Sequence, residues 1–589
     1  MKSDEIEIFL KSEFQQTLEK GENLANKIAP EEEPYVFKYQ QREILEQLMK
    51  NHFLSEIKYT AEKEQKNENQ EEDSEDQMTE DDEQNLIAAK MILNIQLGQN
   101  YQECEEGGQA IKFFNQALQL IRKIKAENMY RYYNFLQELY NIFGILYINR
   151  DENQQGMGFL GKAVDLYNAI IESSIPQEDI INNSQKINDT QNQNFYFYYE
   201  GGLSKERTES LYTHTLFYLA QGYTKFDQKE LAAKYCGLTM KRQFKNKTYE
   251  LKDFCVNCIS LSDFYAGMHN FQQGEYLILA ALSLIPEGKK RKLRATLEMS
   301  LGFLLFEYLK ISVKILAEDR LEEEGKHLKE VFNTRSLEFE GIQIPMKEIE
   351  VKKDFDEVKS IFRQANTQFK KALNYFVLDG FVTEHIQILE QQGEMYKQLA
   401  ILESDFKKKQ GLYERRLELL EPVFSQINSK SFQQTWEKLL VEVAETYNFL
   451  FEQIFMYLFV EEKEKPKPKH FTKLNQYGEK VIELYGKINE ILVEDKDTER
   501  NAAYYNTVIT AKFNQAKAYS RVFKQEKQDK VQYLIQSMKS YQWIMKYIDT
   551  QVPKNLRESS LEFDQQYDMC QEMVNMLPAK IDKVNAGII

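Results

Sequence analysis

One recurring spacing of small and bulky residues limits what this chain can fold into. Counted from Met91, the chain places Leu97, Gly98 and Tyr101, then Ala110, Phe114 and Ala117. Counted from Gln137 it places Tyr140, Phe143, Gly144 and Tyr147, then Gly156, Leu160 and Ala163. Thr213 starts a third register, with Leu216, Leu219, Ala220, Tyr223, Ala232, Cys236 and Thr239. Cys255 starts a fourth, with Leu261, Ser262, Tyr265, Gly274, Ile278, Ala281 and Pro286. This is the tetratricopeptide spacing, two helices in a hairpin with small residues where they cross. A single hairpin leaves an apolar face open, so neighbours must stack to bury it. The small anchors Gly98, Gly144, Ala220 and Ser262 lie 46, 76 and 42 residues apart, unlike the regular period of about 34. The expectation is an all-α, irregular tetratricopeptide-like α-solenoid with long helices and inserted loops.

Composition agrees with a helical array. Only 10 Pro and 24 Gly occur in 589 residues, too many residues for one core. Residues 1–61 read as N-terminal helices, and 62–85, dense in acids, as a disordered loop. The four hairpins occupy 86–289, with a polar loop over 173–194. Residues 290–325 read as one long linker helix with Leu293, Leu297, Leu301, Leu304, Leu305 and Tyr308 on a face, and 326–350, containing Pro345, as a loop. Residues 351–589 read as a second helical-repeat subdomain, with helices over 355–379 and 383–421, the latter stopped by Pro422. Further helices are expected near 431–460, 470–493, 500–524, 529–549 and 555–577, with 461–470 as an exposed connector.

Charge and cysteine usage narrow the partners. Lys and Arg total 76 against 93 Asp and Glu, a net charge of −17. Phosphates would be repelled, so no nucleic acid is expected and basic partners are favoured. The N-terminus lacks a signal-like apolar core, and the most apolar stretch, Asn448–Val460, is short and contains Glu452 and Gln453. No membrane insertion is therefore expected. Five cysteines suit a reducing cytoplasm better than a disulfide framework.

Chemical motifs fail on inspection. GMGFLGKA, Gly156–Ala163, nearly spells a phosphate loop, but Ala163 stands where Ser or Thr must bind Mg²⁺ and no strand precedes it. Cys255 and Cys258 have a zinc-like spacing without two further ligands, and the six histidines form no metal motif. No enzyme, cofactor or metal is expected.

The first helix of each hairpin lines the inner face of such an array. By that count the concave face carries Gln99, Gln102, Glu138, Asn141, His214, Phe217, Gln221, Thr224, Ile259 and Asp263, a polar and mildly acidic set. A clamp for a terminal carboxylate needs Lys or Arg with Asn here. The chain instead offers Ile95 with Gln99, Asn141 with Ile145, Phe217 with Gln221 and Ile259 with Asp263, which disfavours that clamp.

Five stretches carry a resemblance to a known family: EEEPYVFKY (31–39), LNIQLGQNY (93–101), YTHTLFYLAQGYTKFDQKELAAKYCGLTMKRQ (212–243), LDGFVTEHIQILEQQGEMYKQLAILESDFKKKQGLYERRLELLEPV (378–423) and EMVNMLPAKIDKV (572–584). In this order along the chain they resemble the kinesin-binding protein family. The resemblance implies a right-handed α-solenoid of two helical subdomains joined by a linker helix. It implies a non-enzymatic regulator that holds the microtubule-binding helix of selected kinesin motor domains in its concave face, in the cytoplasm and at the cytoskeleton. On that mechanism, contacts are expected in the third and fourth hairpins and their loops, around Tyr212–Gln221, Asn257–Asp263 and the loop after Gly325. A monomer without direct microtubule binding is expected. Stretches 62–85, 173–194 and 326–350 match nothing in the family residue by residue. The competing reading is a scaffold or cargo adaptor for linear peptides.

Overall fold

The computed structural model describes residues 3–30, 32–58, 78–125, 129, 132–172, 205–459, 468–494 and 500–587, among which all regular structure is helical. Its contacts divide the chain into two units: Met1–Glu250 with Leu337–Gly341, and Leu251–Ser336 with Ile342–Ile589.

In the first unit, α1 (Ser3–Ile8) runs through a π-helical stretch, Phe9–Phe14, into α2 (Gln15–Ala25), followed by α3 (Val36–Met49) and α4 (His52–Ser55). Three hairpins follow: α5 (Glu80–Glu103) on α6 (Gly107–Ile121), α7 (Tyr133–Asn149) on α8 (Asn153–Glu172), and α9 (Lys205–Lys225) on α10 (Lys229–Lys245). α9 also packs on both α7 and α8, so the hairpins stack in series. The small residues sit at the crossings as the spacing requires. A Cβ on Gly98 would strike the Phe114 ring, and one on Gly144 would strike Leu160.

The second unit opens with a fourth hairpin, α11 (Leu251–Gly267) on α12 (Phe271–Ser283). It continues with α13 (Arg291–Ala317), α14 (Leu321–Phe332), α15 (Phe355–Leu373), α16 (Val382–Leu402), α17 (Phe406–Gln426), α18 (Gln433–Phe459), α19 (Pro468–Glu494), α20 (Ala502–Arg521), α21 (Lys527–Gln551), α22 (Lys554–Ser559) and α23 (Leu561–Asn585). From α15 to α21 each helix packs on the next, and α23 closes the series on α21. Serial neighbour packing is the solenoid signature. The central core of this unit runs through Leu439, Val443, Ala444, Leu450, Phe451 and Val481.

All four hairpins turn in the same way. Two residues after the first helix ends, the chain enters the left-handed region at Glu105 (φ 64), Asp151 (φ 62), Asp227 (φ 55) and His269 (φ 59). The next amide then donates back to a tyrosine carbonyl: Glu106 to Tyr101, Glu152 to Tyr147, Gln228 to Tyr223 and Asn270 to Tyr265, at 2.8–3.0 Å. This six-to-one bond satisfies a carbonyl that the helix end leaves orphaned. The repeat tyrosine therefore marks where each first helix stops.

Four expectations need correction. The acidic stretch 62–85 is not loop throughout, because α5 begins at Glu80; its residues before 78 lie outside the described ones. Thr79 and Asp82 form a reciprocal capping box, with amide bonds of 3.0 and 3.2 Å, and the acids Glu80–Glu83 suit a helix N-terminus. The helix expected over 290–325 ends at Ala317, where Asp319 (φ 53) and an Arg320 amide bond to Ile315 (3.1 Å) repeat the hairpin turn. The loop expected over 326–350 accordingly starts inside α14, and extended chain begins only after Phe332. The helix expected over 383–421 is two, restarted by Asp405 capping the Lys408 amide at 2.8 Å, and Pro422 lies inside the last turns of α17. The polar loop 173–194 lies outside the described residues, as does most of the 461–470 connector.

Candidate functional site

α9 separates a buried face from an open one. Thr208, Leu211, Thr215, Leu216, Leu219 and Gly222 are buried. Two of these threonines bond to α7: the Thr208 hydroxyl donates to Asn134 at 2.9 Å and the Thr215 hydroxyl to Asn141 at 2.7 Å. Helical spacing then turns Ser210, His214, Phe217, Gln221 and Thr224 outward as one continuous exposed stripe. Phe217 stands 43% exposed at its centre, beside the half-buried Tyr218 ring 5.7 Å away. A polar stripe with one aromatic in the middle has the composition of a protein-contact surface.

The earlier hairpins present no such stripe. α5 is buried almost all round from Leu86 to Ile95, because α3 and α4 lie across it. Asn100 donates to the Lys38 carbonyl and to Gln41, both at 2.8 Å, and the Arg42 guanidinium lies 3.8 Å from the Tyr101 ring centre. Gln99 is half-buried and donates to Glu138 at 2.9 Å, while Glu138 also pairs with Arg207 at 2.7 Å. Gln102 is half-buried at the end of α5. Asn141 is core, 3% exposed, with its amide on the Leu211 carbonyl. Tyr212 is likewise a packing residue, its ring stacked on Tyr167 at 3.6 Å and covered by Arg242 at 4.7 Å. Asn141 and Tyr212 thus do not face outward. The face count assumes a bare hairpin, and here neighbouring helices occupy that side.

In the second unit the exposed stripe of α11 is Lys252, Val256, Ser260, Asp263 and Gly267. Asn257 and Ile259 are half-buried beside it. Although Asp263 is exposed at the surface, desolvation by the surrounding protein, then the nearby Glu307 carboxylate, pushes its carboxyl up. Glu307 itself pairs with Lys310 at 2.7 Å, so the patch is only mildly acidic. Val256, 47% exposed, was absent from the expected set although it holds the same repeat position as His214.

Sequence reasoning expects loop here but does not show how the extended segment after α14 is held. Its backbone is held by side chains: Asn270 donates to the Thr334 carbonyl (2.7 Å), Gln272 to that of Lys347 (3.1 Å), and Asn333 to that of Ile349 (2.8 Å). The Ser336 amide donates to Gln273 at 2.8 Å, the Ile349 amide to Asn333 at 2.7 Å, and the Tyr308 hydroxyl to the Glu350 carbonyl. Backbone without secondary structure must find partners somewhere, and amide side chains supply them here. Within the first unit, Leu337 of Leu337–Gly341 packs on Gly237, and the Phe339 ring lies tilted against Phe244 at 5.4 Å. Scattered amides carry no periodicity by which a sequence could announce such a segment.

Nothing in the described residues assembles a chemical centre. Gly156–Ala163 lies within one helix, with Gly156, Leu160 and Ala163 buried. Cys255 and Cys258 are buried thiols, and burial pushes the first up to about 11. No group of His, Cys, Asp and Glu among the described residues could hold a metal, and no described helix is long and apolar enough to cross a membrane.

Serially packed helix hairpins, two of them with an exposed stripe on the first helix, define a helical-repeat protein. Residues 308–584 match the family model described as KIF-1 binding protein C terminal. The chain is 26% identical over 637 aligned positions to the KIF-binding protein of Danio rerio, covering 96% of each. It is 23% identical over 653 positions to that of Dictyostelium discoideum, covering 97% of this chain and 96% of the other. A solved structure titled Kinesin binding protein (KBP) matches the fold with a TM-score of 0.56 at 18% identity, covering 95% of this chain and 98% of that one. The chain is thus similar to KIF-binding proteins along nearly its whole length, and its residues 308–584 match their C-terminal family model.

Proposed function

We propose that this protein is a non-catalytic regulator that binds the motor domains of selected kinesins and keeps them off microtubules. The observation that carries the reading is end-to-end similarity to proteins named for binding KIF motors, in organisms as distant as Danio rerio and Dictyostelium discoideum. Charge supports it. A motor's track-binding surface is basic because tubulin is acidic, and a chain of net charge −17 competes for the same surface. The exposed stripe of α9, with Phe217 between His214 and Gln221, is the contact surface we assign in the first unit; Asp263 with Glu307 is the one in the second. A motor whose track-binding helix is covered cannot also dock on tubulin, so the block is steric. The protein acts as a monomer in the cytoplasm and at the cytoskeleton, without holding microtubules itself.

Microtubule co-sedimentation of kinesin motor domains, with and without the protein, tests this directly. Some motors should move from pellet to supernatant, less so as salt rises and screens the charges. If every motor still pellets in the presence of excess protein, the reading is wrong.

A further inference from the structure

Helices α12, α13 and α15 and the extended segment over 345–350 enclose a cavity of about 370 Å³, open to solvent on one side. Leu279, Leu304, Leu305 and Ile361 give it apolar walls, and Tyr308 adds a ring. Glu275, one turn from Leu279 on α12, is the one acid from a helix in this lining. It makes no hydrogen bond or ion pair with any described residue. Lys347, Glu348, Glu350 and Lys352 also line it, at the mouth. Glu348 and Glu350 face Lys329 at 3.2 and 3.8 Å, and the Lys352 ammonium lies 5.8 Å from the Tyr308 ring centre. Burial alone pushes the Glu275 carboxyl up, with no countercharge to hold it down. A half-buried carboxylate that faces no cation is a natural end point for an incoming basic group.

We propose that this cavity receives one basic side chain, lysine or arginine, of the protein partner. Its aliphatic stem lies between Leu279, Leu304 and Leu305, and its cationic head meets the Glu275 carboxylate. Long basic side chains combine these two demands, an apolar sleeve and an anionic end. The volume lies within the range of ordinary ligand pockets. The proposal rests on the reading of this chain as a binder of basic protein surfaces and adds to it a specificity pocket.

The test has two arms on the full chain. In the first, n-butylguanidinium and its uncharged analogue n-butylurea are titrated into wild type and Glu275→Gln, followed by NMR of labelled methyl groups at Leu279, Leu304 and Leu305. Wild type should respond to the cation and not to the urea, and E275Q to neither. In the second, motor-domain affinity is measured for both proteins, and E275Q should bind roughly tenfold more weakly. The substitution keeps the side chain's shape and removes a charge, so the fold survives. Equal responses to cation and urea, no response in wild type, or unchanged motor affinity in E275Q would each overturn the proposal. If no motor binds wild type at all, the proposed function fails, while the guanidinium titration still reports separately whether the cavity selects a basic group.

Discussion

Helix α8 contains three glycines that look alike in sequence and differ completely in their surroundings. A Cβ on Gly156 would lie 2.7 Å from the Gly144 carbonyl oxygen and 3.0 Å from the Ile148 amide nitrogen, whereas one on Gly161 would meet nothing within 4 Å. Replacing glycine by alanine inside a helix stabilises it by about 1 kcal/mol. Gly161→Ala should show that full gain. Gly156→Ala has the same helical gain but must push two backbone segments apart. Overpacking costs about 1–3 kcal/mol, and backbone atoms, unlike a side chain, cannot rotate away, so the upper end applies. The net expectation is a loss of about 2 kcal/mol, roughly 3 kcal/mol apart from Gly161→Ala, or about a hundredfold in local opening. Native-state hydrogen exchange of the α7 and α8 amides reads this without requiring the whole chain to unfold in one step. Two variants with the same sign would refute the close crossing of α7 and α8. That crossing is why GMGFLGKA is a packing motif and not a phosphate loop.

Arg416, 2% exposed, pairs with Glu442 and Thr446 and lies over Gly393, 3.4 Å from where a Cβ there would stand. Arg416→Ala should lose about 3–5 kcal/mol, while Arg416→Met, which refills the space and leaves Glu442 able to reach water, should lose under about 1 kcal/mol; urea midpoints distinguish volume from charge. Phe217→Ala should leave the thermal midpoint unchanged because the ring is exposed, yet weaken motor-domain binding by about tenfold, as loss of a central aromatic does; unchanged affinity would remove α9 from the contact surface. The Glu275 carboxyl is raised in the folded state, so its contribution to stability is full below its ordinary range and is lost as pH rises through its raised value. Glu275→Gln should therefore be more stable than wild type at about pH 7, and that advantage should shrink as the pH falls toward about 5, a trend thermal scans at the two pH values would reveal or deny.

The residues that build the hairpins were legible because their signal is local. Gly98, Gly144, Ala220 and Ser262 recur with bulky partners at fixed offsets, since a close helix crossing demands a small side chain within a short stretch of chain. The helical hairpins and their crossing residues followed from that spacing, and the same register puts Gly156, Leu160 and Ala163 at packing positions of one helix. Which face of each hairpin stays open did not. Asn141 and His214 both lie on first helices, yet Asn141 is core and His214 exposed, because α9 covers α7 while no described helix covers the outer face of α9. The end of α13 was hidden for a similar reason. Its turn is set by a left-handed Asp319 and a backbone bond to Ile315, which a run of helix-forming residues does not advertise. Tertiary structure also decided the course of the segment after Phe332 and the isolation of Glu275. Both depend on atoms brought together from distant parts of the chain, and no periodicity within a window of sequence encodes a contact of that range.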